Sequence, residues 1–330
     1  MKRLDHYWYS QNPIAWLLLP LSWLFCIVAV LRRLMYVKHM LPTYSMPVPV
    51  IIVGNISVGG TGKTPLLIAL SDYLAQNGYK PGVISRGYGS EVTGEYALSA
   101  NDDADSCGDE PVLIHRRTGR PVVIGRDRVA AAKKLLAEYD CDVILSDDGM
   151  QHYRLNRDIE LAVVDTQRKF GNGFCLPAGP LREPVSRLNK ATMVVYHGDC
   201  TDKYHFTLQF GDAFNLDTAE RKKLESFVPD TIHAVAGIGH PERFFTQLRA
   251  MGLNIIEHAF PDHHKYTGSD LDFPDDAPIL MTEKDAVKCM PQYPAAKSGD
   301  ENRNIWAVPV NAVISDHLGS DLIAQFRPSR

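Results

Sequence analysis

A glycine-rich turn that ends in lysine and threonine is the segment of this sequence best suited to chemistry. Residues 57–64 read SVGGTGKT. They follow the apolar, β-branched run 48–53 and precede the amphipathic pattern 64–76, so the sequence predicts a strand, a phosphate-binding turn and a helix. Backbone N–H groups in such a turn bind anions, and the dipole of the following helix favours negative charge.

The residues of this turn are predicted to bind a nucleoside triphosphate. Lys63 would reach the β- and γ-phosphates, and the Thr64 hydroxyl would hold Mg²⁺. The common pattern begins with glycine, whereas this chain has Ser57 there. The alternative, a turn that only joins a strand to a helix, gives no reason for Lys63 and Thr64 at the helix start. The predicted nucleotide-binding residues are Ser57, Val58, Gly59, Gly60, Thr61, Gly62, Lys63 and Thr64.

Two consecutive aspartates form a second candidate group. Asp147 and Asp148 follow the apolar run 142–146. An apolar strand that ends in aspartate, downstream of a phosphate loop, is typical of a strand that binds Mg²⁺. The alternative is that one of these carboxylates caps the following turn.

Two loops carry further candidate side chains. Residues 171–184 are rich in glycine and proline, which predicts a shaped loop. Its Arg182 is a candidate for binding substrate phosphate, or alternatively for a solvated pair with Glu183. Residues 260–266 read FPDHHKY, where a metal site would need a third ligand, so a catalytic or orienting histidine is the more economical interpretation.

The elements that must position these residues alternate between strand and helix. This alternation predicts a parallel, doubly wound α/β sheet with its ligand at the carboxyl ends of the strands. Residues 204–210 alternate in the way expected of an antiparallel strand. The predicted strands are 82–85, 121–124, 142–146, 159–165, 193–196, 232–238, 254–260, 279–282 and 305–310, and the predicted helices are 109–117, 127–139, 241–251 and 316–326.

A change of composition over 196–202 predicts a hinge between two domains. The predicted division is a membrane-anchoring region over 1–40, a phosphate-loop core over 41–200, and a smaller α/β domain over 201–330 that closes a cleft.

Residues 14–31 form an apolar run of eighteen residues without a charge, close to the shortest length that spans a bilayer. A cleaved signal peptide is disfavoured because Arg32 and Arg33 stand where small residues should be. A buried core helix is the other alternative. Because Pro20 is a potential break, the sequence leaves open whether the run spans the bilayer or enters one leaflet. A nucleotide site on this chain would face the cytosol.

The overall composition excludes several other classes of protein. The 330 residues carry a formal net charge of −4, which gives no reason to expect a nucleic-acid partner. Six cysteines are scattered without a CxxC pair, which argues against a zinc site or a disulfide framework and suits a reducing cytosol.

Taken together, the motifs resemble those of the tetraacyldisaccharide 4'-kinase family. The resemblance covers nearly the whole chain, including the N-terminal apolar segment, and eight segments in the same order are highly specific. The segments are SVGGTGKTP at 57–65, SRGYG at 85–89, GDEP at 108–111, GRDR at 125–128, DDGMQH at 147–152, LPAGPLREP at 176–184, FPDHHKY at 260–266 and TEKDAVK at 282–288.

The resemblance implies a lipid kinase of the lipid A pathway of Gram-negative bacteria. Members of the family transfer the γ-phosphate of ATP to the 4'-hydroxyl of a tetraacylated glucosamine disaccharide 1-phosphate and so make lipid IVA. The implied cofactors are ATP and Mg²⁺, and the implied partners are this substrate and membrane lipids. The implied location is the cytoplasmic side of the inner membrane, and the implied architecture is two α/β/α domains with a cleft between them.

The resemblance also implies residue roles. Asp109 and His263 would form an acid–base pair near the sugar hydroxyl, beside the catalytic Lys63, and the sequence leaves open whether Asp109 takes the proton directly or through His263. Met150 stands where the family pattern leads us to expect an aromatic residue, which affects local packing. The implied magnesium ligands are Thr64, Glu110, Asp147 and Asp148, and the implied substrate contacts are Arg128 and Arg182.

Two functions from other classes are the alternatives to a kinase. A membrane-attached GTPase or ATPase switch would use the same phosphate loop, but residues 282–285, TEKD, place the lysine one position late for guanine recognition. A non-catalytic membrane scaffold leaves Lys63, Thr64 and the two consecutive aspartates without a role.

Overall fold

A computed structural model describes residues 7–9, 13–289 and 304–326. Residues 1–6 and 10–12 of the predicted anchoring region lie outside this description. The chain forms two compact units, each built from separate stretches of sequence. The first unit contains Met1–Arg86, Gly125–Thr207 and Ala312–Arg330, and the second contains Gly87–Ile124 and Leu208–Asn311.

The secondary structure alternates as the sequence predicts. The helices are α1 (Pro13–Val37), α2 (Lys63–Gln76), α3 (Ala104–Cys107), α4 (Asp109–Thr118), α5 (Arg128–Glu138), α6 (Pro241–Ala250), α7 (Glu283–Cys289) and α8 (Asp316–Ala324). The strands are β1 (Val50–Gly54), β2 (Pro81–Ser85), β3 (Tyr96–Ala97), β4 (Val122–Ile124), β5 (Val143–Asp147), β6 (Ile159–Asp165), β7 (Met193–His197), β8 (His205–Phe210), β9 (Ala213–Asn215), β10 (Arg221–Lys222), β11 (Thr231–Ala236), β12 (Asn254–Ala259), β13 (Ile279–Thr282), β14 (Ile305–Val308) and β15 (Val310–Ile314). Short 3-10 helices lie at Val185–Lys190, Leu224–Phe227 and Gly268–Leu271.

The first unit is built on a sheet with the strand order β15-β8-β7-β6-β1-β5-β2. Neighbouring strands from β8 to β2 are all parallel. Every residue of β1, β2, β5 and β6 is buried, as expected of parallel strands whose two faces are both covered. Helix α2 packs on β1 and β5, and α8 packs on α2, where a Cβ added to Gly319 would lie 2.5 Å from the Tyr73 ring.

The second unit has its own sheet, with the order β10-β9-β14-β13-β11-β12. Strands β14, β13, β11 and β12 are parallel, and β9 and β10 add an antiparallel edge. Its core is apolar and includes Phe244, Phe245 and Leu248 of α6 together with Trp306 of β14. Both sheets are therefore mostly parallel, which confirms the predicted fold class.

The predicted antiparallel pairing of residues 204–210 is found on one side of β8 only, where β15 runs antiparallel to it: Ser315 N donates to His205 O and Gly211 N to Pro309 O, both at 2.9 Å. Strand β8 pairs with β7 in parallel, with Tyr196 opposite His205 and His197 opposite Phe206. The alternation reflects unequal coverage of the two faces, since Phe206 is buried between partly exposed neighbours. Alternation reports burial and carries no information on strand direction.

Helix α1 runs through Pro20 without ending there. Of its residues only Ala15 and Ser22 are buried, whereas Leu17 is 81% exposed and Trp16 62% exposed. That exposure excludes the alternative of a buried core helix. Among the described residues, α1 is the one helix that is long and apolar enough to cross a membrane.

The contacts group residues 87–124 with 208–311, whereas the sequence suggested uninterrupted domains that meet near residue 200. This difference arises because the chain leaves the first unit after β2 and returns to it at Gly125. Local composition does not show that residues 87–124 belong to the second unit. The three-part functional division of the chain stays a prediction.

Candidate active site

The predicted phosphate-binding turn lies at the carboxyl end of β1, between the neighbouring strands β5 and β6. Gly62 caps α2 in the left-handed conformation, with φ of 82°, and a Cβ added there would lie 3.2 Å from His197 Nδ1. Glycine is therefore required at this position for both conformation and space. The turn is braced by the loop 171–184, because Val58 N donates to Pro180 O at 2.8 Å.

The Lys63 side chain is held over this turn by two oxygen atoms. Its Nζ donates to Asn55 Oδ1 at 3.2 Å and lies 3.5 Å from Asp148 Oδ1. Asn55 also donates to the Thr61 hydroxyl at 3.2 Å, so it ties the lysine to the turn. Thr64 is the second residue of α2 and is half-buried. The helix start thus presents an ammonium and a hydroxyl beside the anion-binding amides.

The first of the two consecutive aspartates lies beside the turn because of strand register. Asp147 is the last residue of β5, opposite Val53 of β1. It is 3% exposed, and the Ser85 hydroxyl donates to its Oδ2 at 3.2 Å. Parallel strands bring their carboxyl ends to one edge, so Asp147 lies at the same edge of the sheet as the predicted phosphate-binding turn.

Asp148 forms ion pairs with two cations. Arg182 Nη1 lies 2.8 Å from its Oδ2, and Lys63 lies near its other oxygen. Burial raises the pKa of Asp148, but Lys63 and Arg182 outweigh burial and hold it well below its usual range. The predicted alternative of an Arg182–Glu183 pair is wrong, because Arg182 pairs with Asp148 and Glu183 accepts hydrogen bonds from Gln151 and Tyr153.

Met150 is buried and packs against Gly54.

The residues of the first unit suit a hard cation that shares its coordination with phosphate and water. Among the described residues, no three His, Cys, Asp or Glu side chains converge on a metal position. Mg²⁺ takes one or two carboxylates, with phosphate and water completing an octahedron, so such a convergence is not required. The oxygen atoms of Thr64, Asp147 and Asp148 are donors of this kind.

Arg128 lies at the edge of a basic pocket in the first unit. It is 2% exposed, and its guanidinium donates to Gly125 O at 2.8 Å and to Asp147 O at 3.1 Å. Burial lowers its pKa to about 10, which leaves it cationic at neutral pH. The pocket has a volume of about 260 Å³. Its polar lining residues are Arg32, Tyr36, Arg126, Asp127, Arg128, His152 and Arg154.

His152 lines this pocket and should make the stability of the protein depend on pH. Burial, and then the charges of Arg128 and Arg86, lower its pKa from 6.5 to about 4. Between these values the unfolded chain binds more protons, so stability falls as the pH falls below 6.5. We expect the wild type to lose about 1.5 kcal/mol more than a His152→Gln variant between pH 6.5 and 5. Urea unfolding at the two pH values measures this, and equal losses would contradict it.

The second unit contains the predicted acid–base pair. Asp109 is the first residue of α4 and is 5% exposed, and its Oδ2 lies 2.9 Å from His263 Nδ1. Burial raises the pKa of Asp109, but Lys284 and His263 lower it to about 2. The hydrogen bond to Asp109 raises the pKa of His263. An ionised Asp109 can only accept, so Nδ1 carries a proton and Nε2 is the nitrogen left to act as a base.

Glu110 and Asp109 share a cation that our sequence reasoning missed. Lys284 Nζ lies 3.0 Å from Glu110 Oε1, and 3.7 Å from both Asp109 Oδ2 and Asp262 Oδ1. Burial lowers the pKa of Lys284, but these three carboxylates raise it above its usual value. Its signal in the sequence was its place two residues after β13, since polar residues at carboxyl strand ends are site candidates. Asn55, directly after β1, carries the same signal.

The structure therefore brings the predicted residues together in two groups. Lys63, Asp148 and Arg182 are in contact in the first unit, next to the turn and Asp147. In the second unit, Asp109 contacts His263, and Glu110 pairs with Lys284. Lys284, the lysine of residues 282–285, forms ion pairs with carboxylates, which does not support the guanine-binding alternative.

Comparisons with known proteins extend over both units. The sequence profile of the tetraacyldisaccharide-1-P 4'-kinase family matches residues 14–327. A tetraacyldisaccharide 4'-kinase of Nitrosococcus oceani is 47% identical over 321 residues, which are 96% of this chain and 92% of that protein. That of Azoarcus sp. is 48% identical over 340 residues, covering 100% of this chain and 97% of that protein. The crystal structure of LpxK from Aquifex aeolicus in complex with ATP has a TM-score of 0.79 at 27% identity, covering 95% of this chain and 100% of that one.

Proposed function

Because the chain belongs to the tetraacyldisaccharide-1-P 4'-kinase family, we propose that it transfers the γ-phosphate of ATP to the 4'-hydroxyl of a tetraacylated glucosamine disaccharide 1-phosphate. The chain is a kinase of lipid A biosynthesis, and the product of the proposed transfer is lipid IVA. The observation that carries the proposal is the Lys63 turn at the carboxyl end of β1, within a family match over nearly the whole chain.

The phosphate-binding turn holds the nucleotide in this proposal. The residues from Ser57 to Thr64 surround the β- and γ-phosphates with backbone N–H groups. Lys63 leaves Asp148 and Asn55 to neutralise the charge that develops on the transferred phosphoryl group. Arg182, which is paired with Asp148, adds a second cation on the same side.

The proposed magnesium ligands are oxygen atoms, which agrees with the preference of this ion. Thr64, Asp147 and Asp148 would hold it in the first unit, and Glu110 of the second unit is a further proposed ligand. When bound, Mg²⁺ neutralises the charge on the β- and γ-phosphate oxygens. Glu110 must exchange its contact with Lys284 to take this role.

Asp109 and His263 act on the sugar alcohol in this proposal. Asp109 orients the imidazole and compensates its positive charge, and His263 Nε2 accepts the hydroxyl proton as the oxygen attacks the γ-phosphorus. The bond from that phosphorus to the bridging oxygen of ADP breaks in the same transfer. The support is the 2.9 Å contact between Asp109 and His263, together with the low pKa of Asp109.

The basic pocket is the proposed site for the 1-phosphate of the substrate. It combines four arginines with a neutral histidine, and Arg32 and Tyr36 come from α1. A phosphomonoester suits such a cluster because guanidinium groups bind phosphate oxygens in pairs. This proposal gives Arg128 its role in substrate binding.

The proposed location is the cytoplasmic face of the inner membrane, where ATP is available and the acyl chains of the substrate stay in the bilayer. Exposed apolar side chains of α1 would enter the lipid, with Arg32 and Arg33 at its end near the interface. This places the catalytic residues next to a substrate that does not leave the membrane.

A transfer assay tests the proposed function directly. Purified protein in mixed micelles should move label from γ-³²P-ATP to the disaccharide lipid, and excess GTP should compete poorly with ATP. Preferential GTP binding without lipid phosphorylation would favour the nucleotide-switch alternative instead.

A Leu24→Arg variant tests the membrane role of α1. Leu24 is 58% exposed near the middle of the helix, and arginine there should cost about 3 kcal/mol on insertion scales. We expect binding to anionic phospholipid vesicles to fall about a hundredfold in a flotation assay. A matched Val185→Arg change, at a 37% exposed residue outside the helix, should leave binding unchanged. Equal binding by Leu24→Arg and wild type would overturn the assignment.

A further inference from the structure

The loop 260–266 holds the proposed catalytic histidine in an unfavourable backbone conformation. His263 has φ of 61°, in the left-handed region that a residue with a side chain rarely adopts. Its side chain is 36% exposed, so packing on the histidine itself does not fix this conformation. Such a conformation persists only when the surrounding structure enforces it. The contact with Asp109 holds the imidazole, and the other residues of the loop are the candidates for holding its backbone.

The far end of the loop is enclosed at Tyr266. Its hydroxyl is buried beside Gly237, the residue after β11, and makes no hydrogen bond of ordinary geometry to any residue that the structure describes; burial, and then the charge of the nearby Asp285 carboxylate, raise its pKa. A Cβ added to Gly237 would lie 2.7 Å from the Tyr266 hydroxyl and 3.0 Å from Asp285 Oδ1. The tyrosine hydroxyl, the Gly237 backbone and the Asp285 carboxylate are thus packed around one point, and a side chain at residue 237 would displace the tyrosine.

Asp285 makes this point rigid, because it is fully buried and its charge is compensated. It accepts from Gly237 N at 2.9 Å and from the Thr282 hydroxyl at 2.6 Å. Lys288 Nζ lies 2.6 Å from its other oxygen and 5.3 Å from the centroid of the Tyr266 ring. A buried carboxylate with this many partners keeps one position, since moving it would leave a charge unpaired.

The loop is also supported by stacked rings. The Phe260 ring lies 4.7 Å from His264 and 5.2 Å from Tyr266, measured between centroids. Tyr266 therefore lies near Asp285 on one side and contacts the Phe260 ring, which stacks on His264, on the other. His263 lies between these fixed points, and its ring also lies 5.2 Å from that of Tyr88.

We propose that Tyr266, anchored on Gly237, Asp285 and Lys288, is a positioning residue that holds His263 against Asp109 during phosphate transfer. This inference rests on the proposed role of the Asp109–His263 pair. Tyr266 does not touch the reacting atoms, and its effect passes through the backbone of the loop to the imidazole. This role explains why the segment TEKDAVK contains Asp285 and Lys288, which nucleotide binding does not require.

A Tyr266→Phe variant tests the proposal because it keeps the ring and removes the hydroxyl. We expect kcat to fall about 10- to 100-fold, since a small misplacement of a catalytic group has effects of this size, while KM for ATP stays unchanged. Gly237→Ala, which acts from the residue after β11, should reproduce this loss. The matched control is Tyr96→Phe, which removes a tyrosine–Asp102 hydrogen bond elsewhere in the second unit and should keep wild-type kcat.

The decisive measurement is a double-mutant cycle with His263→Ala. If Tyr266 acts through His263, Tyr266→Phe should cause no further loss in the His263→Ala background. A general structural defect would instead multiply the two losses, and that result, or wild-type kcat in Tyr266→Phe, would overturn the proposal. If Gly237→Ala does not fold, the Tyr266→Phe cycle alone decides. Wild-type kcat in His263→Ala alone would identify a failure of the proposed catalytic pair, separately from the positioning role.

Discussion

A Lys63→Ala variant should lose at least about 10³-fold in kcat for phosphate transfer. The reason is electrostatic, because Lys63 is the cation that the turn presents at the start of α2, within 3.5 Å of Asp148. Alanine would leave the developing charge on the γ-phosphate to the backbone amides and Arg182. It would also leave Asp148 with one fewer cation, which should disturb the proposed magnesium site.

The measurement is the initial rate of label transfer from γ-³²P-ATP to the disaccharide lipid at saturating substrates. Lys80→Ala is a matched control, since Lys80 is an exposed lysine paired with Asp140 in the same unit. Its rate should equal that of the wild type. If Lys63→Ala keeps full activity, the phosphate-loop assignment, and with it the nucleotide site, is wrong.

The second large effect is expected at the acid–base pair. Asp109→Asn and His263→Ala should each lower kcat about 10²- to 10⁴-fold, the usual contribution of a general base. Asparagine keeps the shape of Asp109 but removes the charge that fixes the proton on His263 Nδ1. The two losses should not multiply in the double variant, because both residues serve one proton transfer.

Nucleotide binding separates this effect from a folding defect. Both variants should bind a fluorescent ATP analogue with wild-type affinity, since neither residue belongs to the phosphate-binding turn. Asp276→Asn and His317→Ala, at exposed residues, are the matched controls and should keep the wild-type rate. A wild-type turnover in either Asp109→Asn or His263→Ala would refute the proposed catalytic pair.

Most of the fold could be predicted because its strands are buried and its helices amphipathic. The strands β1, β5 and β6 read as apolar runs, and their burial on both faces confirms that interpretation. The parallel pairing of β8 with β7 could not be predicted, since the pairing partner of a strand is set by tertiary contacts. Likewise, the predicted strand 305–310 is interrupted at Pro309 and gives β14 and β15, because proline has no N–H for the ladder.

The site could be predicted wherever a motif lies next to one element. The phosphate-binding turn is of this kind, because its glycines, Lys63 and the helix that follows them are consecutive in sequence. Lys284 was not predicted as a site residue, since its partners Asp109 and Glu110 are far away in sequence and meet it only in the folded unit. The contact of Arg182 with Asp148 was missed for the same reason. Ion pairs between residues that are far apart in sequence can be identified only from the folded structure.

The packing of α8 on α2 has a consequence for biosynthesis. The helix that follows the phosphate-binding turn is synthesised before every segment of the second unit, whereas its covering helix is synthesised after them. During translation, α2 therefore stays without this cover until the second unit has been synthesised. A chaperone that binds exposed apolar helix faces would have its longest opportunity at α2.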